Sequence, residues 1–356
     1  MKRYIYSQNS FLALAVVVVM IGCGKKEVTP PTPTPTPTPT PVIAPPPSLG
    51  FLVVGYFPSY RDPNAVPDVK FRMCNVINYA FASVTSTGGL TISSPSVLTV
   101  VAAKAKANNA KVMLSINGSH TNFRSMCSTP TGRTNFIKVV MNAIRQYDLN
   151  GVDMDWEYPV TSDGTDMTYT ALMKELSDSC HTNSKYYCTA AITPGKYAGA
   201  IRDAIKSELF TYLDWFNIMA YDDFNESVPY RHHSDYALAV TCMNYWIATR
   251  GMPPSKAVLG IPAYGRPSGI TQSGGTVLTY NTILSQGGSS QSDSAVVTAG
   301  GFNNYKIYYN GQPTAKRKAM YAKAYGNGVM VWEKGQDTHD NTSLLKAICD
   351  TLGRPY

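Results

Sequence analysis

The stretch "LNGVDMDWEYP", Leu149–Pro159, carries three carboxylic acids at alternate positions directly after an apolar run. Side chains alternate across a β-strand, so Asp153, Asp155 and Glu157 share one face and the apolar residues between them share the other. Like charges held this close together cost free energy. The stretch therefore predicts a strand whose acidic face serves a chemical purpose.

This strand is one of eight apolar, β-rich runs along the chain, which alternate with stretches that have apolar residues at helical spacing. The runs are 51–57, 75–82, 111–116, 151–157, 186–193, 215–222, 257–265 and 328–332. Continuous apolar strands that alternate with helices are typical of a parallel sheet covered by helices. Eight such units predict an α/β fold, a (β/α)8 TIM barrel. The alternative is an open doubly wound sheet, which no glycine-rich phosphate loop supports.

Polar residues cluster where these runs end. Glu157 ends the fourth run, Tyr221 and Asp222 end the sixth, and Trp332 ends the eighth. Active sites of TIM barrels lie at the carboxyl ends of the strands. One acid there usually caps the following helix, but three at alternate positions fit an active site better because capping does not offset their repulsion.

Enzymes that use two carboxyl groups to cleave a bond, such as conventional glycosidases, place them on opposite sides of that bond. Asp155 and Glu157 lie two residues apart on one strand, so both approach a substrate from the same side. One can protonate a leaving oxygen, but its neighbour cannot attack from the far face. A nucleophile would then have to come from the substrate itself, as the carbonyl of a 2-acetamido group could on a sugar.

Several stretches resemble, in the correct order, the motifs of glycoside hydrolase family 18, the chitinase family, and the resemblance covers Phe51 to Asp337. "NGVDMDWEYP" is similar to the fourth-strand signature Asp-Gly-x-Asp-x-Asp-x-Glu, and "LSING" to the third-strand motif Ser-x-Gly-Gly. "MAYDD", "GIPAYGR" and "MVWEKGQD" resemble the ends of the sixth, seventh and eighth strands. Two residues depart from the pattern. Asn150 replaces the first Asp and should be tolerated, whereas Asn117 replaces the first Gly and is expected to alter packing below the sugar.

The geometry of the acids, together with the resemblance, implies their roles. Glu157 is the expected general acid and then general base. Asp155 would orient the acetamide N–H and stabilise a positive oxazolinium intermediate, and Asp153 would share a proton or charge with Asp155. By resemblance, Tyr221 donates to the acetamide carbonyl. The other substrate-binding residues that the resemblance implies are Tyr56, Phe81, Ser115, Met219, Asp222, Tyr264, Arg266 and Trp332.

Some of these residues, and others near them, have a second interpretation. Asp222 and Arg266 are expected to pair and hold the neighbouring sugar. For Trp332 the alternative is a place in the core at the barrel bottom, although polar residues follow it. Alternation points Trp156 outward, toward the helix layer. The adjacent His232 and His233 make a poor metal pair and are expected to be exposed loop residues.

The N-terminus reads as an export signal. Residues 1–6 carry positive charge, and the apolar run 11–21 is too short to span a bilayer comfortably. It ends in "MIGCG", which resembles a bacterial lipoprotein signal, with Met20 where Leu is usual. We expect a signal peptide over 1–22 and lipid modification at Cys23, which would anchor the protein to the bacterial cell envelope, with the outer membrane as first choice. An ordinary secretory signal is the alternative.

Domain organisation follows from composition. The Thr/Pro-rich stretch after Cys23 predicts an extended polyproline-II linker over 23–48, before a catalytic barrel over 49–356. The formal charge is +8, with 31 Lys and Arg against 23 Asp and Glu. The basic residues form no run, so nucleic-acid binding is not expected. We expect a monomer without metal or cofactor, in which several cysteines are buried and unpaired.

Chitin or its oligomers is the expected substrate. The alternatives are an endo-β-N-acetylglucosaminidase that acts on N-glycans and a surface glycan-binding protein without activity. The ending Trp-Glu-Tyr-Pro resembles the chitinase branch of the family, and an intact Glu157 argues against a pure lectin. The Gly- and Ser-rich interval 266–312 has room for only a short hairpin or a reduced insertion between strand 7 and its helix, so a shallow cleft is expected.

Overall fold

The computed structural model describes residues 41–223, 231–267 and 277–356. The predicted signal peptide, Cys23 and most of the predicted linker lie outside these ranges. In chain order, the described strands are β1 (Leu52–Pro58), β2 (Val76–Val84), β3 (Leu90–Ile92), β4 (Lys111–Asn117), β5 (Gly151–Met154), β6 (Tyr187–Ile192), β7 (Phe216–Ile218), β8 (Ala257–Pro262), β9 (Tyr264–Pro267), β10 (Leu278–Thr279), β11 (Ser294–Ala299), β12 (Phe302–Tyr308) and β13 (Gly328–Trp332).

Helices follow most of the barrel strands and cover the outside of the sheet. In chain order, they are α1 (Asp68–Arg72), α2 (Pro95–Ala107), α3 (His120–Cys127), α4 (Pro130–Gln146), α5 (Thr165–His181), α6 (Ala200–Asp203), α7 (Leu209–Tyr212), α8 (Tyr236–Asn244), α9 (Tyr280–Ser285), α10 (Gln312–Tyr325) and α11 (Leu344–Leu352). Within the described ranges, no helix combines the length and the apolar character that crossing a membrane requires.

Eight of the strands close into a parallel barrel in the order β1-β2-β4-β5-β6-β7-β8-β13. The barrel closes because β1 pairs in parallel with both β2 and β13. All eight predicted runs form barrel strands, so the predicted (β/α)8 TIM barrel is confirmed. The short β3 pairs antiparallel with the carboxyl end of β2 and extends that edge.

The strands alternate between two layers of core. In β1, Val53 and Phe57 pack outward against the helices, whereas Val54 and Tyr56 belong to the smaller core inside the barrel. The strand β5 follows the same rule, because its apolar residues face the helix layer and Asp153 faces the barrel axis. The face assignment predicted from alternation is therefore correct.

Two predicted strands end earlier than their apolar runs. β5 stops at Met154, so Asp155 and Glu157 lie just beyond it, although the Asp155 N–H still donates to Ile116 O at 2.8 Å. β7 stops at Ile218 because the next residues fold into tight turns, in which the amides of Ala220 and Tyr221 donate to carbonyl oxygens two residues back, at 2.8 Å.

The insertion after strand 7 is a small antiparallel sheet. Its four strands lie in the order β10-β9-β12-β11 and enclose the short helix α9. The predicted run 257–265 divides at Ala263, where β8 of the barrel ends and β9 of this sheet begins. Of the two expectations, a short hairpin or a reduced insertion, the second is correct, because the insertion has four strands and a short helix.

The last residues of the predicted linker pack against the amino-terminal end of the barrel. The backbone of Ile43 forms a bridge with Thr182, and the Asn183 N–H donates to Val42 O at 2.7 Å. The Tyr187 hydroxyl donates to Pro47 O at 2.7 Å. Residues 42–47 are thus part of the folded barrel, so the boundary between linker and barrel lies earlier than residue 49.

This contact leads to a prediction about truncation. A chain that begins at Leu49 should be less stable than one that begins at Pro41, because it loses these backbone hydrogen bonds, each worth about 1 kcal/mol. A total loss of about 2 kcal/mol lowers Tm by roughly 3 °C at this chain length, because the unfolding entropy is about 2.1 cal/mol/K per residue. Differential scanning calorimetry would measure it, with Tyr187→Phe in the longer chain as a one-bond control. Equal Tm values would show that the segment contributes nothing.

Candidate active site

A cavity of about 380 Å³ opens at the carboxyl ends of the barrel strands. Acidic and aromatic side chains dominate its wall. The lining residues are Tyr56, Phe81, Asn117, Asp155, Glu157, Tyr158, Ala191, Thr193, Pro194, Lys196, Tyr197, Ile201, Met219, Tyr221, Asp222, Asp223, Leu238, Tyr264 and Trp332. The cavity therefore brings together most of the predicted site residues.

Asp153 lies beneath this cavity, fully buried on the barrel axis. One carboxylate oxygen accepts from the Tyr56 hydroxyl at 2.5 Å and the Ser115 hydroxyl at 2.9 Å. The other accepts from Thr189 at 2.7 Å and from the Asn217 amide at 3.0 Å. Burial raises the pKa of Asp153, and these four hydrogen bonds oppose the rise without cancelling it. Asp153 is thus held in one orientation by donors from four strands.

Asp155 is also buried, but it is poorly satisfied. Its side chain is 5% exposed and lines the cavity, and its Oδ1 has no hydrogen-bond partner among the described residues. Burial, followed by the charges of Glu157 and Asp153, raises the pKa of Asp155 well above its usual range. A buried carboxyl oxygen without a partner is costly, so the position suits a donor that a bound molecule brings.

Glu157 lies in the cavity with part of its side chain open to solvent. The partial burial raises the pKa of Glu157; the hydrogen bond of Tyr158 opposes this rise and the charge of Asp222 adds to it. A carboxyl group whose pKa is raised holds its proton closer to neutral pH, as a general acid requires. Asp155 and Glu157 influence each other's titration, so the acids of this strand end titrate together.

Asp222 follows β7 at the same mouth and is held by one guanidinium group and one hydroxyl. Its Oδ1 accepts from Arg266 Nε and from the Tyr264 hydroxyl, both at 2.5 Å, and its Oδ2 lies 3.0 Å from Arg266 Nη2. Burial raises the pKa of Asp222, but His233 and Arg266 outweigh it and hold this pKa well below its usual range. The predicted pair of Asp222 and Arg266 is therefore confirmed.

Aromatic rings form the floor of the cavity. The Trp332 ring meets the Tyr56 ring edge to face at 5.4 Å and stacks on Phe81 at 5.6 Å. Trp332 lines the opening, so a place in the barrel-bottom core is excluded. The Tyr221 ring stands edge-on to Tyr264 at 6.3 Å. Gly260 permits this arrangement because a Cβ there would lie 2.9 Å from the Tyr221 ring.

The remaining predicted residues take varied places. Met219 lines the cavity, as expected. Ser115 is fully buried and holds Asp153, so it lies below the cavity rather than on its wall. Trp156 stacks on Phe123 at 4.7 Å in the helix layer, which confirms the outward orientation. Arg266 reaches the site through its ion pair with Asp222.

The expectation that His232 and His233 are exposed loop residues is wrong. His233 is fully buried and His232 partly so, and their rings lie 5.8 Å apart. The His233 ring accepts from the Asp222 N–H at 3.3 Å and lies 3.3 Å from Tyr264 O, so it supports the Asp222 cluster from behind. The loop returns into the barrel here because the Asp223 N–H donates to His233 O at 3.0 Å.

The two departures from the family motifs are accommodated. The Asn150 side-chain oxygen accepts from the Val112 N–H at 2.9 Å. The backbone N–H of Asn150 donates to Val112 O at 2.7 Å, so Asn150 extends the pairing of β4 with β5. Asn117 accepts from the Ser83 hydroxyl at 2.9 Å and lines the cavity. Asn117 therefore adds a polar group to the wall itself.

Several site residues were not predicted. Asn217 and Thr189 hold Asp153 from neighbouring strands, and a polar residue inside an apolar run was the available signal. Asp223 is bound by Lys196 at 2.5 Å and by the Tyr197 hydroxyl at 2.7 Å. Loop sequence gave no indication of that cluster. Non-proline cis peptides follow Ala80, Glu157 and Trp332, which sequence also did not indicate because such bonds are rare.

The described part of the chain contains no cluster of three or more His, Cys, Asp or Glu that could hold a metal ion. The six described cysteines are buried and unpaired; they are Cys74, Cys127, Cys180, Cys188, Cys242 and Cys349. Burial in apolar surroundings raises the pKa of several of these thiols, Cys127 and Cys242 to about 12. They behave as small core residues rather than nucleophiles.

The model of glycosyl hydrolases family 18 matches residues 52–337, which is most of the chain. The protein belongs to this family. The match spans the barrel, its insertion and every cavity residue described above. The strand-end motifs that the sequence shares with the family are therefore the ones that meet at the barrel mouth.

Individual relatives are distant. A class V chitinase of Arabidopsis thaliana is 28% identical over 338 residues, covering 82% of this chain and 87% of that protein. A chitinase-like effector of Moniliophthora roreri is 28% identical over 233 residues, which span 59% of this chain and only 57% of the effector. The solved structure of a family 18 chitinase from Flavobacterium johnsoniae has a TM-score of 0.70 and 28% identity, covering 85% and 94% of the two chains.

The electrostatics of the site yield a prediction about Glu157. Because the Asp222 charge raises the pKa of Glu157, Asp222→Asn should lower that pKa, and the carboxyl should lose its proton at a lower pH than in the wild type. Titration of ¹³C-labelled carboxyl groups by NMR would measure the shift. The control is Asp178→Asn, at an exposed surface pair with Lys174. An unchanged or raised pKa of Glu157 would contradict the prediction.

Proposed function

We propose that the protein is a chitinase-type glycoside hydrolase that cleaves β-1,4-linked N-acetylglucosamine chains by a retaining, substrate-assisted mechanism. The observation that carries the proposal is the state of the four acids on the cavity wall. Among the residues that the structure describes, Asp155 and Glu157 form no ion pair and lie at one strand end. Asp222 and Asp223 are neutralised by Arg266, Lys196 and Arg231. The described wall thus offers no free carboxylate to attack from the opposite face.

The nucleophile in this proposal is the acetamido carbonyl of the sugar itself. Glu157 donates its proton to the leaving glycosidic oxygen while the carbonyl oxygen bonds to the anomeric carbon. The open Oδ1 of Asp155 accepts the acetamide N–H, and its carboxylate balances the positive oxazolinium. The Tyr221 hydroxyl donates a hydrogen bond to the carbonyl and keeps its proton, because burial raises the pKa of Tyr221 well above its usual range.

The second half of the reaction uses the same acid in reverse. Glu157, now a carboxylate, takes a proton from a water molecule that opens the oxazolinium at the anomeric carbon. Each half inverts the anomeric centre once, so the product keeps the β configuration. Asp153 remains below as an electrostatic support, because its four hydrogen bonds hold it in place throughout. The aromatic floor around Trp332 offers the stacking surface that a sugar face requires.

The test is cleavage of chitin oligomers with ¹H NMR of the new reducing end in the first minutes. We expect β product from the wild type, a loss of kcat of about 10² to 10³ in Asp155→Asn, and a loss of up to about 10⁴ in Glu157→Gln. Oligomers with a free amine at the reacting sugar should bind without cleavage, because an amine has no carbonyl oxygen.

Three results would contradict the proposal. Initial α product would indicate an inverting enzyme. Binding of chitin oligomers by the wild type without turnover would identify a glycan-binding protein instead. Release of N-glycans from high-mannose glycopeptide, with chitin oligomers left intact, would identify an endo-β-N-acetylglucosaminidase.

We also propose that Cys23 anchors the protein to the cell envelope through a lipid, with the Thr/Pro-rich segment as spacer. The support is the sequence "MIGCG" after an apolar run. In cells fed a radiolabelled fatty acid, the wild type should carry label and sediment with membranes. Cys23→Ser should lose both properties, while Cys74→Ser, at a buried core thiol, should keep them. A wild type without label would contradict the proposal and indicate an ordinary secretory signal.

A further inference from the structure

His120 lies behind the cavity, outside its wall, between two hydrogen-bond acceptors. It is the first residue of α3, and its ring Nδ1 lies 3.0 Å from the backbone oxygen of Tyr158. Its Nε2 lies 2.8 Å from Oδ2 of Asp163. The ring packs 5.7 Å from that of Trp156, which fixes its plane. His120 therefore contacts the residue that directly follows Glu157.

Both of these acceptors lack a proton to give. A carbonyl oxygen and a carboxylate only accept, so each ring nitrogen has to donate for both contacts to be hydrogen bonds. A neutral imidazole carries one N–H and can satisfy one of the two. The geometry thus fits the doubly protonated ring, and loss of its proton removes one of the two bonds.

Asp163 is itself held firmly. Its Oδ1 accepts from the Thr165 hydroxyl at 2.7 Å and from the Thr165 N–H at 3.0 Å. The same hydroxyl is joined to the backbone of Val160, whose N–H lies 2.9 Å away. The Thr165 hydrogen bond lowers the pKa of Asp163 to about 2; burial opposes this effect, and the His120 hydrogen bond adds to it. Asp163 is therefore a fixed anion at neutral pH.

The contacts form one connected tie from α3 to the start of α5. His120 joins Tyr158 to Asp163, and Asp163 joins Thr165, which in turn holds Val160. The tie closes a ring of hydrogen bonds around the residues that follow Glu157. These residues have left the strand, since β5 ends at Met154. The tie thus holds the backbone on the carboxyl side of Glu157, and the hydrogen bond from the Asp155 N–H to β4 holds the amino side.

We propose that His120 is a positioning residue for Glu157, which it orients in its doubly protonated form by bridging Tyr158 O and Asp163. This inference rests on the proposed function only in assigning Glu157 as the general acid. The charged groups that face the ring among the described residues are Asp163 and, beyond it, Arg124, whose Nε lies 3.8 Å from the same carboxylate oxygen. Glu157 is carried by the loop that the ring holds.

The kinetic test compares His120→Ala and His120→Gln with the wild type on chitin oligomers. His120→Ala should lower kcat by about 10- to 100-fold with KM changed by less than about threefold, because the acid is misplaced while the binding wall is intact. His120→Gln keeps one donor and should lie between the two. His339→Gln, at an exposed histidine away from the cavity wall, should match the wild type.

A second test needs no substrate. In ¹⁵N NMR of the full chain under the conditions of the kinetic assay, both ring nitrogens of His120 should carry a hydrogen-bonded proton. In His120→Gln the backbone amide signals of residues 157–160 should shift, because one of the two donors is lost, whereas in His339→Gln they should not. A histidine with a single N–H could not donate to both acceptors, so the number of ring N–H groups separates the proposed role from ordinary packing.

Two outcomes would overturn the inference. One is wild-type kcat in His120→Ala. The other is a His120 ring with a single N–H under those conditions, or unshifted amide signals of residues 157–160 in His120→Gln. Failure of the wild type to cleave chitin oligomers is a different result: it would remove the proposed function, and the NMR experiment would still decide whether His120 controls the loop.

Discussion

The structure depends on one buried carboxylate. Asp153 sits on the barrel axis, and its four donors come from four different strands, namely Tyr56 on β1, Ser115 on β4, Thr189 on β6 and Asn217 on β7. Burial of a carboxylate is costly unless hydrogen bonds satisfy it, so the charge is tolerable only when these strands have come together. A partly assembled barrel would lack some of the four strands and would leave Asp153 with fewer hydrogen-bond donors. Closure of the barrel and construction of the site are therefore one event.

From that fixed point the acids divide into two groups with different electrostatic surroundings. Asp155 and Glu157 continue the line of Asp153 toward the opening; their pKa values are raised, and among the described residues no cation pairs with them. Asp222, which follows β7, is held by Arg266 and has a depressed pKa. A site that pushes the pKa values of neighbouring acids apart can hold a proton at one place and a charge at another. This division is what acid and base steps at one centre require.

The amino-acid sequence indicates much of this arrangement, because the rules that it uses are local. Period-two alternation places Asp153 and Asp155 inside the barrel and Trp156 outside, and the eight apolar runs identify the barrel strands. The pairing of Asp222 with Arg266 was implied by family resemblance and is present.

The amino-acid sequence does not indicate which residues far apart in the chain are in contact. Asn217 is visible as a polar residue in an apolar run, but its partner Asp153 is 64 residues away and nothing local names it. His233 is buried because its loop folds back onto Asp222, a tertiary contact that overrides the polar character of the loop. The end of β7 was missed for a related reason, because turns begin there while the side chains remain apolar. The end of β5 was missed because the alternation of side chains continues past Met154 to Glu157.

The segment before β1 leaves the mouth of the cavity clear. Residues 42–47 contact the end of α5 and the first residue of β6, at the amino-terminal end of the barrel, whereas the cavity opens at the carboxyl ends of the strands. The described chain therefore enters the barrel at one end and presents its acids at the other. A molecule that enters the cavity does so on the side away from this segment.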